Sequence, residues 1–175
     1  PYDKSVIDTV PKAERGDVER ALESAGRGAP AMAKLSGYDR FGILRKAADL
    51  MVARQEDLGR TISLEEGKAI AEGRLEASRA VETILGSAEE AKRIHGETVP
   101  VDGAPGGAGK LAFTLRVPCG VVVAITPFNF PLNLVMHKVA PPIAAGCPVV
   151  LKPAPQAPLT AFRLGELCMD AMNCP

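Results

Sequence analysis

Two short stretches constrain the fold of this chain more than any others: Ile125-Thr126-Pro127-Phe128-Asn129-Phe130-Pro131 and, further on, Val149-Val150-Leu151-Lys152-Pro153. Val121–Ile125 and Cys147–Leu151 are continuous apolar runs rich in β-branched residues, the pattern of strands covered on both faces. Between them Leu132–Ala145 reads as a helix that Pro141 and Pro142 kink or interrupt. Leu159–Met172 reads as a second helix. Strand–helix–strand–helix at this spacing predicts a parallel α/β sheet with right-handed crossovers. In open sheets of that kind, ligands bind in the crevice beyond the C-terminal ends of the strands. Asn129 and Lys152 both fall there.

The sequence before this unit predicts helices. Ser5–Val10 reads as a short strand in an extended lead-in, and Asp17 to about Gly28 as a helix ended by Gly and Pro30. Ser36, with Asp39 three residues on, is a capping pattern for a helix bearing Phe41, Leu44, Ala48, Met51 and Val52 at helical spacing. A helix from Gln55 to Glu65 follows, then a long amphipathic one from about Lys68 to His95. Its apolar face is predicted to hold Leu75, Val81, Ile84, Leu85, Ala88, Ala91 and Ile94. Glu72, Glu76, Glu82, Glu90, Lys92 and Arg93 fall largely on the other, and Gly96 is a candidate C-cap. Glu97–Val101 and Leu111–Val117 read as a hairpin around a long Gly-rich loop. Those glycines are not a dinucleotide fingerprint, because no buried strand precedes them and no helix follows.

Composition excludes several function classes. The 175 residues suffice for one domain with a core. The 21 basic and 21 acidic side chains cancel to a formal charge of +0, and no basic stripe with interleaved aromatics is present, which excludes a nucleic-acid partner. Near-neutral charge removes one barrier to self-association. No apolar run approaches the ~18–20 residues of a membrane span. Pro1-Tyr2-Asp3-Lys4 does not begin a secretory signal, and the sequence does not start with Met. Cys119, Cys147, Cys168 and Cys174 fit neither a zinc ribbon nor a redox CxxC pair. Their apolar surroundings predict reduced, buried thiols in a cytoplasmic protein without a metal site.

Several residues carry candidate chemistry, each beside a plainer reading. The Asn129 carboxamide, in a turn stiffened by Pro127 and Pro131, can donate to a developing oxyanion; alternatively it is a helix N-cap. Lys152 reaches either ribose hydroxyls and phosphate or only solvent. Phe130, Leu134 and His137 share a helix face at i, i+4 and i+7, so His137 either lines a substrate channel or is a core histidine. Arg79 is a surface residue or an anion-binding guanidinium. His95 sits near a helix C-terminus, where a cation is welcome. Cys147 has no His or Asp beside it in sequence to activate it as a nucleophile.

Glu66-Gly67-Lys68, Gly96-Glu97-Thr98-Val99-Pro100, Pro118-Cys119-Gly120-Val121, the Pro-Phe-Asn-Phe-Pro turn, Ala144-Ala145-Gly146 and Leu151-Lys152-Pro153-Ala154 occur in an order and spacing that resemble the aldehyde dehydrogenase superfamily. The resemblance implies an incomplete Rossmann-like domain preceded by a helical bundle, with residues 97–117 as an oligomerisation hairpin giving dimers or tetramers. It also implies NAD(P)-dependent oxidation of an aldehyde through a Cys thioester. Asn129 would be the oxyanion-hole amide. Ile125, Thr126, Pro127 and Phe128 would line the cofactor, and Lys152, followed by Ala154 and Pro155, would meet the adenosine ribose. Pro155 stands where NAD-preferring members often carry a Glu, which implies that NADP is tolerated or preferred. The fuller pattern looks most like the lactaldehyde, phosphonoacetaldehyde and nonphosphorylating glyceraldehyde-phosphate branch. There Arg79, Phe130, Leu134 and His137 would face a small polar or anionic aldehyde. The family's nucleophilic Cys, general-base Glu and phosphate turn, and with them its catalytic domain, are absent from these 175 residues. This stretch by itself is therefore expected to be inactive. A folded assembly module and part of a CoA-acylating relative are the alternatives.

Overall fold

A computed structural model describes residues 3–172. Four helices come first: α1 (Arg15–Lys34), α2 (Gly37–Ala53), α3 (Gln55–Glu66) and α4 (Ile70–Ala91). A small hairpin of β1 (Thr98–Val99) and β2 (Ala112–Phe113) separates them from β3 (Val122–Ile125), α5 (Asn133–Ala144), β4 (Val149–Lys152) and α6 (Leu159–Met172). Helices α2, α3 and α4 pack on one another and on α5 and α6, and α5 also covers the parallel pair β3–β4. Leu44, Met51, Ile62, Ile84, Met136, Leu164 and Leu167 fill the shared core. Each such side chain contributes about 1.5–3 kcal/mol by leaving water.

Local chemistry explains most boundaries. Ser36 Oγ accepts from Asp39 N at 3.1 Å, and Asp39 Oδ2 accepts from Ser36 N at 2.9 Å, so the predicted capping box opens α2. Helix α3 ends at Gly67, whose φ of 89° is a left-handed conformation that glycine adopts without penalty. That turn sends Lys68 back towards the start of α4. The N-terminus of α6 is capped across the molecule: both Glu65 carboxylate oxygens accept from it, one from Leu159 N, the other from Thr160 N at 3.0 Å and Thr160 Oγ1 at 2.6 Å.

Elsewhere the structure departs from the sequence reading. Ser5–Val10 forms no strand. Helix α1 runs through Pro30 to Lys34, and none of its residues is buried, so the lost N–H bond faces solvent. Helix α5 likewise continues through Pro141 and Pro142. The donors those prolines lack belong opposite the carbonyls of His137 and Lys138, on an exposed part of the helix where water substitutes. Helix α4 is shorter than predicted and is C-capped at Lys92. Gly96 instead lies against the Thr114 carbonyl in the hairpin, where a Cβ would collide. The hairpin strands are shorter than predicted, pairing antiparallel as Thr98 with Phe113 and Val99 with Ala112.

Two departures bear on function. On α4, Leu75 is exposed and Glu76 is buried, the reverse of the predicted faces, and Ile94, beyond the end of the helix, is exposed. Strand β3 is covered on one face only: Ala124 is buried, while Val123 and Ile125 are 54% and 64% exposed. The parallel register pairs Val122 with Val149 and Ile125 with Lys152, so both strands end at one level.

Because Glu65 closes the amide groups of α6 from another helix, Glu65→Ala should lower stability by about 1–2 kcal/mol in equilibrium urea unfolding. An unchanged midpoint would show that solvent caps α6 equally well.

Candidate active site around the Asn129 turn

The turn that joins β3 to α5 is organised by a carboxylate from another helix. Glu76, 2% exposed on α4, accepts from Leu132 N at 2.9 Å and Asn133 N at 3.1 Å through Oε1. These are the first free amide groups of α5, whose own N-cap, Leu132, has no side-chain bond to offer. Glu76 therefore does the capping that the sequence allowed for Asn129. A negative charge also suits this end of the helix dipole. The Asn129 side chain is left exposed and bonds to no other described residue.

Lys68 completes the arrangement. Its Nζ donates to Glu76 Oε2 at 2.7 Å and to the Asn129 carbonyl at 2.7 Å. It lies 3.1 Å from Glu66 Oε2 and 3.9 Å from the centre of the Phe130 ring. The ammonium thus meets two carboxylates, a carbonyl and an aromatic face, which together replace its hydration shell. Lys68, Glu76, Arg79 and Phe130 line a depression of about 190 Å³ with Glu72 and Leu75. Arg79 is in no ion pair with another described residue, so its guanidinium is the uncommitted cation of this depression.

The predicted cofactor residues gather at the ends of the two parallel strands. Ile125 lies opposite Lys152, and Thr126 N donates to the Lys152 carbonyl at 3.3 Å. Pro127, Phe128, Lys152 and Pro155 are exposed there, whereas Ala154 is buried. Thr126 Oγ1 is buried without a hydrogen-bond partner, a group that a bound polar ligand would satisfy.

The other predicted substrate residues are not all brought together. Phe130 shares its depression with Arg79, and Leu134 is half-buried on α5. His137 is exposed and is not a core histidine. It borders a separate depression of about 440 Å³ along the open side of β3, with Val123, Ile125 and Pro141. Its Nε2 is 3.5 Å from Thr83 Oγ1, which donates to Asn133 Oδ1 at 2.9 Å. A larger apolar groove of about 530 Å³ runs beside β4 and α6, lined by Met32, Phe162 and Met169 among others, and contains none of the turn residues.

Glu76, Lys68 and Glu65 are the residues that reading the sequence missed as builders of the site. One signal was available for Glu76: Ala80 and Ile84 follow it at i+4 and i+8, which puts it on the apolar stripe of α4. Lys68 carried no such mark, because its role depends on the turn at Gly67. The thiols are less uniform than predicted. Cys147 is buried, Cys119 is exposed, and their sulfurs are 3.7 Å apart. Burial pushes the half-buried Cys168 thiol up to about 11. Cys174 lies outside the described residues. Among the described residues no helix is long and apolar enough to cross a membrane, and no His, Cys, Asp and Glu cluster is placed to hold a metal.

Comparison with known proteins agrees with this architecture. The aldehyde dehydrogenase family model matches residues 1–175. A 3-sulfolactaldehyde dehydrogenase of Priestia aryabhattai is 51% identical over 159 residues, covering 91% of this chain and 33% of that protein. The crystal structure of aldehyde dehydrogenase 21 from Physcomitrella patens, in complex with the reaction product succinate, superposes with a TM-score of 0.94 at 40% identity, over 99% of this chain and 36% of its own. Glyceraldehyde-3-phosphate dehydrogenase GapN from Methanocaldococcus jannaschii, complexed with NADP, gives a TM-score of 0.91 at 34% identity, over 100% of this chain and 38% of its own. The chain belongs to the aldehyde dehydrogenase family. It spans about a third of the length of the curated relatives it matches, corresponding to their N-terminal part. Its helical region and small parallel sheet are thus a partial domain of that fold.

Burial is the main cause that raises the Glu66 carboxyl above its ordinary value of 4.5, reinforced by the Glu76 and Glu65 charges and opposed by Lys68. A carboxyl raised in the folded state adds stability that is complete below pH 4.5 and is lost as pH rises through the folded value. Glu66→Gln should therefore gain stability relative to the parent as pH increases above 4.5. Urea midpoints of both proteins at acid and neutral pH test this, and a constant difference would contradict it.

Proposed function

We propose that this chain supplies the oxyanion donor and part of the dinucleotide site of an NAD(P)-dependent aldehyde dehydrogenase. One observation carries the reading: the Asn129 amide stands unbonded at the end of β3, while Glu76 caps the helix and Lys68 holds the Asn129 backbone. An amide with nothing else to bond can donate both N–H groups to an oxygen that becomes negative as a thiolate adds to an aldehyde. A donor already in place stabilises that charge without reorganising during the reaction.

The strand ends fit a dinucleotide. Thr126 Oγ1 is a buried group in need of a partner, and exposed Lys152 offers an ammonium to ribose hydroxyls or phosphate at the same level of the sheet. When bound, NAD(P)+ accepts the hydride that the aldehyde carbon releases. This chain's residues hold the adenosine side of the cofactor and orient the carbonyl oxygen. Pro155 places no carboxylate against a 2′-phosphate, which favours tolerance of NADP. That the Methanocaldococcus relative is complexed with NADP is consistent with this choice.

The substrate reading is a small anionic aldehyde. Arg79 is the uncommitted cation of the depression beside Phe130; the Priestia relative is named for a sulfonated aldehyde, and the Physcomitrella relative is in complex with its reaction product succinate. His137 borders the neighbouring depression along β3 and would shape its approach. Leu111, Phe113, Leu115 and Val117 are exposed along the second arm of the hairpin, an apolar surface suited to joining subunits.

Asn129→Ala in the whole protein should lower kcat on the order of 10²–10³-fold. A loss below about tenfold in steady-state assays would remove the oxyanion assignment. Pro155→Glu should weaken NADP+ binding by at least about tenfold while leaving NAD+ binding within about threefold, because only the former brings a phosphate against the new carboxylate. Equal effects on both dissociation constants would contradict this placement of the ribose.

A further inference from the structure

We propose that Lys68, fixed by Glu76, is a positioning residue for the Asn129 amide. This rests on the reading of Asn129 as the oxyanion donor. The turn projects from the end of β3, and residues 127–129 are exposed. Pro127 and Pro131 restrict the backbone on either side but bond to nothing through nitrogen. The Asn129 carbonyl has one hydrogen-bond partner among the described residues, Lys68 Nζ at 2.7 Å. Fixing that carbonyl fixes the plane of the following peptide, which restricts the backbone from which the Asn129 side chain projects.

The clamp acts at three successive places. Lys68 holds the Asn129 carbonyl and lies over the Phe130 ring, and Glu76 holds the amides of Leu132 and Asn133. One ion pair, with Nζ and Oε2 2.7 Å apart, thus spans the segment from the donor to the first turn of α5. Lys68 and Glu76 side chains are 16% and 1% exposed, so water does not compete freely for their ion pair, while the bond to the Asn129 carbonyl lies at the surface. The ammonium also sits between two carboxylates, Glu76 and Glu66. Its charge is therefore committed within the protein, and its contribution to the oxyanion is geometric rather than that of a free cation. A misplacement on the order of 1 Å is enough to lose much of a pre-organised interaction.

The test is a double-mutant cycle in the whole protein with Lys68→Met, Asn129→Ala and the pair, measuring kcat, KM, NADP+ affinity and unfolding midpoint. The expected result is a kcat loss for Lys68→Met on the order of 10²-fold, with KM and NADP+ affinity within about threefold. The double variant should then be no more than about threefold slower than Asn129→Ala, because a positioning residue has nothing left to position. If Asn129→Ala alone loses less than about tenfold, the oxyanion reading fails whatever Lys68 does. If Asn129→Ala is slow but Lys68→Met retains activity within about fivefold, the positioning role is overturned. Losses that multiply in the double variant would also overturn it, since Lys68 would then act independently of Asn129. If Lys68→Met does not fold, Glu76→Gln carries the same cycle. It keeps an oxygen for Leu132 and Asn133 but removes the charge that orients Lys68, and the same non-multiplying loss with Asn129→Ala is expected.

Discussion

The buried carboxylate of Glu76 joins the helical bundle to the parallel unit at the Asn129 turn. Glu76 comes from the helical bundle, yet two of its bonds serve the first turn of a helix that belongs to the sheet. A charge in that position is tolerable only because Lys68 lies against it and the amides face it. If the partner is taken away, an uncompensated charge remains in the interior, which is far more costly than the pair itself is beneficial. The clamp is therefore better understood as a device of geometry than of stability. It lets α5 start without using Asn129 as its cap.

Glu65 repeats the solution on the neighbouring helix. It caps α6 from the end of α3, as Glu76 caps α5 from α4. Both helices that follow the parallel strands thus have their amide ends closed by carboxylates of the bundle. At the ends of β3 and β4 the Asn129 amide and the Lys152 ammonium are exposed, and the Thr126 hydroxyl is buried beneath them without a hydrogen-bond partner. Helix capping is thus carried by Glu65 and Glu76 and not by the groups proposed to meet ligands, a separation that a pre-organised site requires.

Much of this architecture was legible in the sequence, in the places where local chemistry decides the outcome. The Ser36–Asp39 box, the limits of α6 and the parallel pairing of two apolar runs follow from capping, periodicity and strand composition. The misreadings share a cause. Pro30, Pro141 and Pro142 were expected to break helices, but each lies where solvent can replace the lost bond. Continuous apolar texture in Val121–Ile125 implies cover on both faces, and in this partial domain Val123 and Ile125 are open. Glu76 falls on the apolar stripe of α4 with Ala80 and Ile84, but the amides and ammonium that make a carboxylate tolerable there are distant in sequence. The position of Asn129 at a strand end was legible. Its freedom from capping was not, since that is set by residues on another helix.

The distances along the chain between these partners also say something about when the turn is ordered. Lys68 reaches Asn129 across 61 residues, and Glu76 reaches Leu132 across 56. A polypeptide made from its N-terminus has therefore finished α3 and α4 well before the turn exists. A newly made Asn129 turn thus emerges into a chain that already contains both of its partners, Lys68 and Glu76.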